Sequence, residues 1–580
     1  MPRCTSLLAA LPILAACSGA QKTDAPPPAP PPAWAAPPVD EGVKLEADVK
    51  DLIAKLEAKV APLEKEMNLA YWEATNTGKQ EAYDKAAAAE LALRTIFSDK
   101  ESFALLERAK ASGKLKDSLL LRQVTLLRDA FAENQLPAET LAGLVKLASE
   151  VEKLFNDHRG KIGGKPVPDN DLYEVLRKEK NSKKRQLAWE AYMSKGEAVR
   201  DKLIELVKLR NEAARSLGYA DFYEMRLKLQ EQEPAEIQRI FDELAEKTDA
   251  PFAAIMEEVK KELAKRYQMK PADLQAWHFE DPFFQEAPMV RGVDLDPFFK
   301  DKDPQKVVAD FYTSIGLPPQ DILDKSDLFE KPGKKPHAYC IHIDRSGDVR
   351  ILANLRNNEK WTGTLLHEMG HAVYDKYFDF SLPYFLRADA HIFTTEAIAE
   401  LFGRLTRNPL WLEKVLGVPK ARLAKIEKDI RFGLRLTMLV FARWTLTMVN
   451  FERELYRDPE QDLNALWWKL KQRYQLQAPP AGRNAPDWAA KIHFTSSPVY
   501  YHNYMLGEMM ASQLSQHIAK EILKSDDPRA LDLAGATAVG QFLKEKIFQV
   551  GAKLRWDDLL IGATGETLNP IHFVNQFVAE

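Results

Sequence analysis

Apolar residues recur every three or four positions along most of this chain, with charged residues between them, which is the pattern of amphipathic helices. The first such stripe, at residues 49–67, predicts a long helix at the start of the folded part. Further stripes run through residues 119–131, 203–217, 237–263 and 434–455. Alternation with period two is scarce, so we predict a mainly α fold.

One segment departs from the helical pattern and predicts a β-hairpin. Residues 338–343 and 349–355 have the composition of strands, and the residues between them, Asp344-Arg345-Ser346-Gly347, are typical of a tight turn. This hairpin directly precedes the motif on which the functional interpretation depends.

Composition and charge narrow the class of protein. A hydrophobic content of 45% over 580 residues is enough for a large core. Lys and Arg total 81 against 85 for Asp and Glu, a net charge of -4, so we expect no nucleic acid partner. No linker or charge run interrupts residues 41–580, which we interpret as one domain of two intertwined helical subdomains.

The first forty residues have the pattern of a targeting signal followed by a spacer, which we call the tether. Residues 1–16 have the features of a signal peptide, because Arg3 precedes an apolar run too short to span a bilayer. The run ends in Leu-Ala-Ala-Cys, which resembles a bacterial lipobox, so we expect Cys17 to be lipidated. An ordinary signal peptide with a chance cysteine is the alternative. Residues 17–40 add a Pro/Ala-rich spacer typical of polyproline II.

This leader predicts a place in the bacterial cell envelope, with the protein bound to a membrane through its lipid. Ser18 follows the cysteine where an aspartate would favour the inner membrane, so the outer membrane is preferred. If Cys4 is removed and Cys17 is acylated, only Cys340 remains, which excludes an intramolecular disulfide. We interpret Cys340 as a buried, inert thiol.

The strongest chemical motif is His367-Glu368-Met369-Gly370-His371. Histidines at positions i and i+4 share one helical face and can both reach a single zinc ion at roughly 2.0 to 2.1 Å. Glu368 then lies beside the metal, where a carboxylate can accept the proton of a zinc-activated water. This is the chemistry of peptide-bond hydrolysis, although the bare motif also occurs by chance.

A catalytic zinc needs a third protein ligand, and the next predicted helix offers Glu396. Thr394 and Thr395 are placed to cap the start of that helix. Glu400 lies one turn further on the same face, where it can orient a ligand histidine as an outer-shell partner. Two acids at this spacing are more often a solvated face, but here their neighbours are apolar.

Residues 367–371 followed by Thr-Glu-Ala-Ile-Ala-Glu at 395–400 resemble the angiotensin-converting-enzyme family of zinc peptidases. Residues 325–351 are similar to its substrate-binding hairpin, and residues 491–504 are similar to its second catalytic stretch. The resemblance covers nearly the whole folded part. It implies a large helical, two-lobed peptidase with a deep central cleft and a small hairpin beside the zinc-binding helix.

The resemblance also implies a role for each matching residue. One zinc ion per chain would be bound by His367, His371 and Glu396, with Glu368 as the general base and later the acid. His493 and Tyr504 would stabilise the oxyanion. Oligopeptide substrates would pair with the hairpin at His337 and Ala338. Lys491 and Tyr501 would bind the terminal carboxylate of the substrate.

The chain departs from the family pattern at four points. Glu396 follows His367 by one residue more than usual, and another insertion before Tyr504 leaves Tyr500 and Tyr501 as alternative carboxylate ligands. Asn503 stands where the family has a chloride-binding arginine. The family's carboxylate-binding glutamine has no secure counterpart within residues 277–285.

Three functions therefore remain open. The leading one is a peptidase that removes dipeptides from the C-terminus of oligopeptides. The second is an endo-acting oligopeptidase resembling the thimet family, although residues 396–400 lack that family's usual pattern. The third is a non-catalytic surface protein that binds peptides, against which the intact Glu368 and Tyr504 argue. We assign His342, His391 and His502 structural roles.

Overall fold

A computed structural model describes residues 41–527, 529 and 531–578. The predicted signal peptide (residues 1–16), the lipidation site Cys17 and the tether (residues 17–40) lie outside these described residues. The lipid anchor therefore stays a prediction from sequence.

The described part of the chain is mainly α-helical, as predicted. The first elements are α1 (Glu41–Thr77), α2 (Gln80–Phe97), α3 (Lys100–Ser112), α4 (Ser118–Glu133), α5 (Ala138–Asp157), β1 (Lys161–Ile162), β2 (Lys165–Pro166), α6 (Asp169–Lys178), α7 (Ser182–Ser216), α8 (Phe222–Leu229) and α9 (Pro234–Tyr267). The middle contains α10 (Asp296–Phe299), α11 (Pro304–Ser314), α12 (Gln320–Leu323), β3 (Tyr339–His342), β4 (Val349–Leu352), α13 (Glu359–Lys376), α14 (Ile392–Gly403) and α15 (Pro409–Lys414). The remainder comprises α16 (Lys420–Arg457), α17 (Leu463–Gln475), α18 (His493–Ser496), α19 (Tyr501–His517), α20 (Thr537–Lys546), α21 (Trp556–Thr564) and α22 (Ile571–Phe577).

The five apolar stripes found in the sequence coincide with α1, α4, α7, α9 and α16, and Leu217 alone falls one residue beyond its helix. Buried side chains form two clusters. The larger one extends through most helices from α5 onward, and the smaller one joins α1 to α4 with Tyr384 and Phe385. Tyr384 and Phe385, in the segment between α13 and α14, therefore pack into the N-terminal group of helices.

Helix α16 is the central helix of the larger core. By length and composition it could cross a membrane, but 67% of its most apolar stretch is buried inside the protein. Its buried side chains contact α9, α17 and α19, so its apolar character is explained by packing.

The predicted hairpin is present. Strands β3 and β4 pair antiparallel, with Tyr339 opposite Leu352 and His342 opposite Val349. Asp344 closes the turn by accepting hydrogen bonds from the N–H groups of Ser346 and Asp348, at 3.0 and 3.2 Å. No further strand pairs with β3 in the described part of the chain, and Asn68 covers part of its outer edge by donating to the carbonyl oxygen of His342 at 3.2 Å. Helix α13 packs against both strands.

Candidate metal centre and substrate cleft

The two histidines of the His-Glu-x-x-His motif lie one turn apart on α13. Asn358 caps this helix by accepting the N–H of Trp361 at 2.9 Å. Gly370, between the histidines, packs directly against α14, because a Cβ built there would lie 2.8 Å from Cα of Ala399. The absent side chain lets the two helices approach closely.

That close approach places Glu396 of α14 beside both histidines. Nε2 of His367 lies 3.3 Å from Nε2 of His371 and 3.7 Å from Oε2 of Glu396. Nε2 of His371 lies 3.9 Å from the same carboxylate oxygen. Two metal bonds of about 2.0 Å at the tetrahedral angle put their ligand atoms about 3.3 Å apart. The distance between the histidines matches this value and the carboxylate oxygen lies slightly further from both, so the three side chains are close enough to share one metal ion.

The outward nitrogens of both histidines also have polar neighbours. Nδ1 of His371 lies 2.7 Å from Oγ1 of Thr395, and Nδ1 of His367 lies 3.6 Å from Oε1 of Glu400. A partner on Nδ1 fixes the ring so that Nε2 stays free for a metal. The contact with Thr395 was not foreseen in the sequence.

The start of α14 corrects one prediction. Thr394 and Thr395 were expected to cap this helix, but it begins at Ile392 and its cap is His391. Nδ1 of His391 accepts the N–H of Phe393, and Thr394 accepts the N–H of His391, each at 3.3 Å. The prediction failed because the helix starts one turn earlier than the spacing to Glu396 suggested.

Around the candidate metal site, here called the metal half (His367, Glu368, His371, Glu396 and Glu400), burial has the largest effect on the pKa values. It lowers the pKa of His371 to about 3, with a further lowering by His367, which favours the neutral imidazole that binds metals. Burial would also lower the pKa of His367, but Glu400, Glu368 and Glu396 outweigh it and raise that pKa. Burial raises the pKa of Glu368 to about 7, against the lowering effect of His367.

The second half of the site lies on residues 491–504. The ring of His493 packs edge-on against Tyr501 with centroids 4.9 Å apart, and Tyr501 contacts Tyr504 at 5.3 Å. Gly507 of α19 packs against α14, since a Cβ there would lie 3.2 Å from Cβ of Glu396. This contact brings the first turns of α19 to the metal ligands.

The protonation states of His493 and Tyr504 allow both side chains to donate a hydrogen bond. Burial, followed by the charge of Lys491, lowers the pKa of His493 to about 4. Burial and Glu396 raise the pKa of Tyr504, so its hydroxyl is protonated at neutral pH. Burial lowers the pKa of Lys491 to about 8, and Asp281 and Glu286 oppose the effect.

The sequence offered no secure candidate for the family's carboxylate-binding glutamine, and the structure places Gln285 beside Lys491. Its Oε1 accepts a hydrogen bond from Nζ of Lys491 at 2.5 Å. Its backbone N–H donates to Oδ1 of the buried Asp281 at 2.9 Å, which holds the turn that presents it. The two residues are 206 positions apart, so only the fold brings them together.

The structure places Tyr501, rather than Tyr500, beside this pair. Nζ of Lys491 lies 5.5 Å above the ring of Tyr501, whose hydroxyl accepts a hydrogen bond from Nε1 of Trp444 at 2.7 Å. Burial, followed by the charge of Glu396, raises the pKa of Tyr500. Tyr501 is therefore the better placed of the two alternatives.

A cavity of about 1230 Å³ connects these groups, and its walls include Gln285, Glu400, Lys491, Tyr501 and Tyr504 together with His493. A volume of this size accommodates a peptide. The cavity extends from Glu400, beside His367, to the pair of Lys491 and Gln285.

The remaining predicted residues lie at the hairpin. His337 is exposed and Ala338 is half-buried, and both immediately precede the open-edged strand β3. The next residue but one, Cys340, has its thiol pKa raised by burial, in agreement with an inert side chain. Its backbone N–H hydrogen-bonds to Glu368, which couples the hairpin to the metal half.

The histidines assigned structural roles have structural contacts. His391 caps α14, His502 bonds to Oε1 of Gln232 at 2.7 Å, and His342 accepts the N–H of Gly347 at 3.1 Å. Oδ1 of Asn503 accepts a hydrogen bond from Nε2 of Gln232 at 2.9 Å.

Comparison with known proteins gives consistent matches. The family model described as Angiotensin-converting enzyme matches residues 43–572. The angiotensin-converting enzyme of Haematobia irritans exigua is 26% identical over 474 residues, which is 74% of this chain and 76% of that protein. That of Theromyzon tessulatum is 23% identical over 486 residues, 77% and 78% of the two chains. That of Rattus norvegicus is 25% identical over 436 residues, 68% of this chain and 32% of the relative.

Proposed function

The chain belongs to the angiotensin-converting enzyme family of zinc metallopeptidases, and from that membership we propose that it releases dipeptides from the C-termini of oligopeptides. The observation that supports this specificity is the pairing of Lys491 with Gln285 in the cavity that also contains Tyr504. A cationic group at a fixed distance from the reacting centre selects a substrate with a free terminal carboxylate.

We assign the metal site to His367, His371 and Glu396, whose spacing fits one zinc ion per chain. Bound zinc would polarise the scissile carbonyl and lower the pKa of a water molecule. Glu368 accepts the proton of the attacking water and then transfers it to the departing amine. Glu400 and Thr395 keep the two histidine rings in the orientation that exposes Nε2.

In this proposal Tyr504 and His493 stabilise the negative charge that develops on the carbonyl oxygen. The phenol and the neutral imidazole both donate a hydrogen bond, and such bonds strengthen as the oxygen becomes an oxyanion. Ala338, directly before β3, would supply backbone bonds for strand addition by the substrate and His337 a side-chain contact, because no strand of the described residues pairs with this edge.

The test is mass-spectrometric analysis of the products of one oligopeptide, supplied with either a free or an amidated C-terminus. We expect stepwise loss of dipeptides from the free form alone, with Glu368→Gln as the inactive control. Equal internal cleavage of both forms would indicate an endopeptidase instead. A zinc-loaded protein that cuts neither form, across varied sequences, would leave only a peptide-binding role.

We also propose that Cys17 anchors the protein to a membrane of the bacterial envelope, with the outer membrane preferred. The sequence of residues 1–40 supports this, and the family match begins only at residue 43, after the tether. Mass spectrometry of the mature N-terminus should find an acylated Cys17. Cys17→Ser should release the protein from washed membranes, whereas Cys4→Ser should not.

A further inference from the structure

Val499 lies in a backbone conformation that its side chain disfavours. It follows α18 and precedes α19, its φ is +53°, and its side chain is fully buried. A β-branched residue with positive φ is a genuine outlier, because Cβ approaches the neighbouring carbonyl oxygen. Such a conformation persists only where surrounding contacts enforce it, and these positions cluster at functional sites.

The contact that enforces it comes from Glu452, near the C-terminal end of α16. Oε1 of Glu452 accepts a hydrogen bond from the backbone N–H of Val499 at 2.8 Å. The glutamate is 3% exposed, and burial raises its pKa to about 8. Burying a carboxyl group costs free energy unless the group is hydrogen-bonded. The bond to Val499 therefore offsets part of the cost of burying Glu452.

A second side chain holds the same segment from α7. The guanidinium of Arg210 donates to the carbonyl oxygens of Phe494 and Thr495, each at 2.7 Å, and to the hydroxyl of Tyr456 at 3.1 Å. Arg210 is also buried. Two buried polar side chains from two long helices therefore fix the backbone from residue 494 to residue 499.

This segment connects the two groups proposed to stabilise the oxyanion. His493 precedes it, and Tyr504 follows on the first turns of α19. Tyr500, at the cap position of α19, makes no side-chain capping bond, so the start of the helix takes its orientation from the preceding loop. A shift of Val499 would therefore move Tyr504 relative to His493.

We propose that Glu452, supported by Arg210, is a positioning residue for the oxyanion-stabilising pair His493 and Tyr504. The inference rests on the proposed function, since it assigns Glu452 no contact with the substrate. It predicts that kcat depends on a hydrogen-bond acceptor at position 452 and does not depend on the charge of that side chain.

The experiment compares Glu452→Gln, which keeps an acceptor of the same length, with Glu452→Met, which keeps the volume and removes the acceptor. We expect kcat per zinc-loaded chain to fall at least about tenfold in Glu452→Met with KM changed less than about threefold, because the loss is in the transition state. Glu452→Gln should stay within about threefold of the unaltered protein. Glu454→Gln, on the same helix, is the matched control.

A double-mutant cycle separates positioning from general destabilisation. In a Tyr504→Phe background, Glu452→Met should lower kcat by about threefold or less, because the group that it positions is already removed. Hydrogen exchange at the Val499 amide should accelerate in Glu452→Met and not in Glu452→Gln. An undiminished kcat in Glu452→Met, or the same tenfold loss in the Tyr504→Phe background, would overturn the inference.

Two further outcomes are also decisive. If Glu452→Met does not fold, Glu452→Asp keeps the charge and shortens the reach, so a kcat equal to that of the unaltered protein would reject the positioning role. An intermediate kcat would support it. If the unaltered protein cuts no peptide, the proposed function fails and the inference fails with it, whereas an active protein insensitive to Glu452→Met contradicts the inference alone.

Discussion

The metal-ligand half of the site lies on two regular helices, whereas the half that contains His493 and Tyr504 spans the one-turn helix α18, a loop and the start of α19. In the first half, Gly370 and close packing of α13 on α14 set the geometry. In the second half, a strained residue and two buried polar side chains set it.

The difference shows two ways to hold a side chain in place. A helix satisfies its own backbone hydrogen bonds, so ligands spaced by one turn are positioned without additional polar groups. A loop leaves N–H and C=O groups to be satisfied by other parts of the fold, here by Glu452 and Arg210. We therefore expect substitutions in the two halves to differ in kind as well as in size.

The largest expected effect lies in the metal half. Glu368→Gln should lower kcat/KM by about 10³-fold or more, because the proton acceptor for the attacking water is lost. Zinc content, measured by mass spectrometry of the metal, should stay at one per chain. Glu396→Gln should instead reduce zinc content, and a fully loaded Glu396→Gln protein would contradict its assignment as a ligand.

The second largest effect lies in the other half. Tyr504→Phe should lower kcat by about 10²-fold, the usual cost of removing one oxyanion donor, with little change in KM. Zinc content and the free energy of unfolding should be unchanged, since the hydroxyl lies in the cavity. A rise in KM with unchanged kcat would assign Tyr504 to substrate binding instead.

The two halves also differ in how far the sequence predicted them. Periodicity identified the helices, and spacing identified His367, Glu368 and His371, because a helix converts an interval of four residues directly into proximity. The hairpin could be predicted for the same reason, because its two strands are joined by a short turn. The one error at this half, the cap of α14, arose because His391 rather than a threonine ends the preceding loop.

The second half depended on the resemblance to a family, and its supports were not predicted. Glu452 and Val499 are 47 positions apart, and Lys491 and Gln285 are 206 positions apart. No local pattern encodes such contacts. A buried glutamate within an apolar helix was the only available signal for Glu452, and it does not identify the partner.

Substrate binding gives a smaller effect than either catalytic substitution. Lys491→Met should raise KM about 10- to 100-fold for a peptide with a free C-terminus, because a buried cation for the carboxylate is lost.

Since burial lowers the pKa of Lys491 to about 8, kcat/KM of the unaltered protein should fall as pH rises through that value. Steady-state kinetics from pH 6 to 10 should show this limb, and Lys491→Met should lack it. An identical limb in Lys491→Met would assign the titration to another group.

The smallest effect tests whether close packing alone sets the metal half. In Gly370→Ala, the added Cβ would lie 2.8 Å from the backbone of Ala399, so α13 and α14 must separate slightly. We expect the free energy of unfolding to fall by about 1 to 3 kcal/mol, as for other overpacked cores, and zinc affinity to weaken because Glu396 retreats from the histidines. Denaturant unfolding and competition with a chelator measure the two quantities.

Gly562→Ala is the matched control, since that helical glycine faces open space and its substitution should stabilise the protein. A Gly370→Ala protein that loses stability but keeps full zinc affinity would show that the ligands adjust independently of the helix spacing, and the contrast between the two halves would then be weaker than the structure indicates.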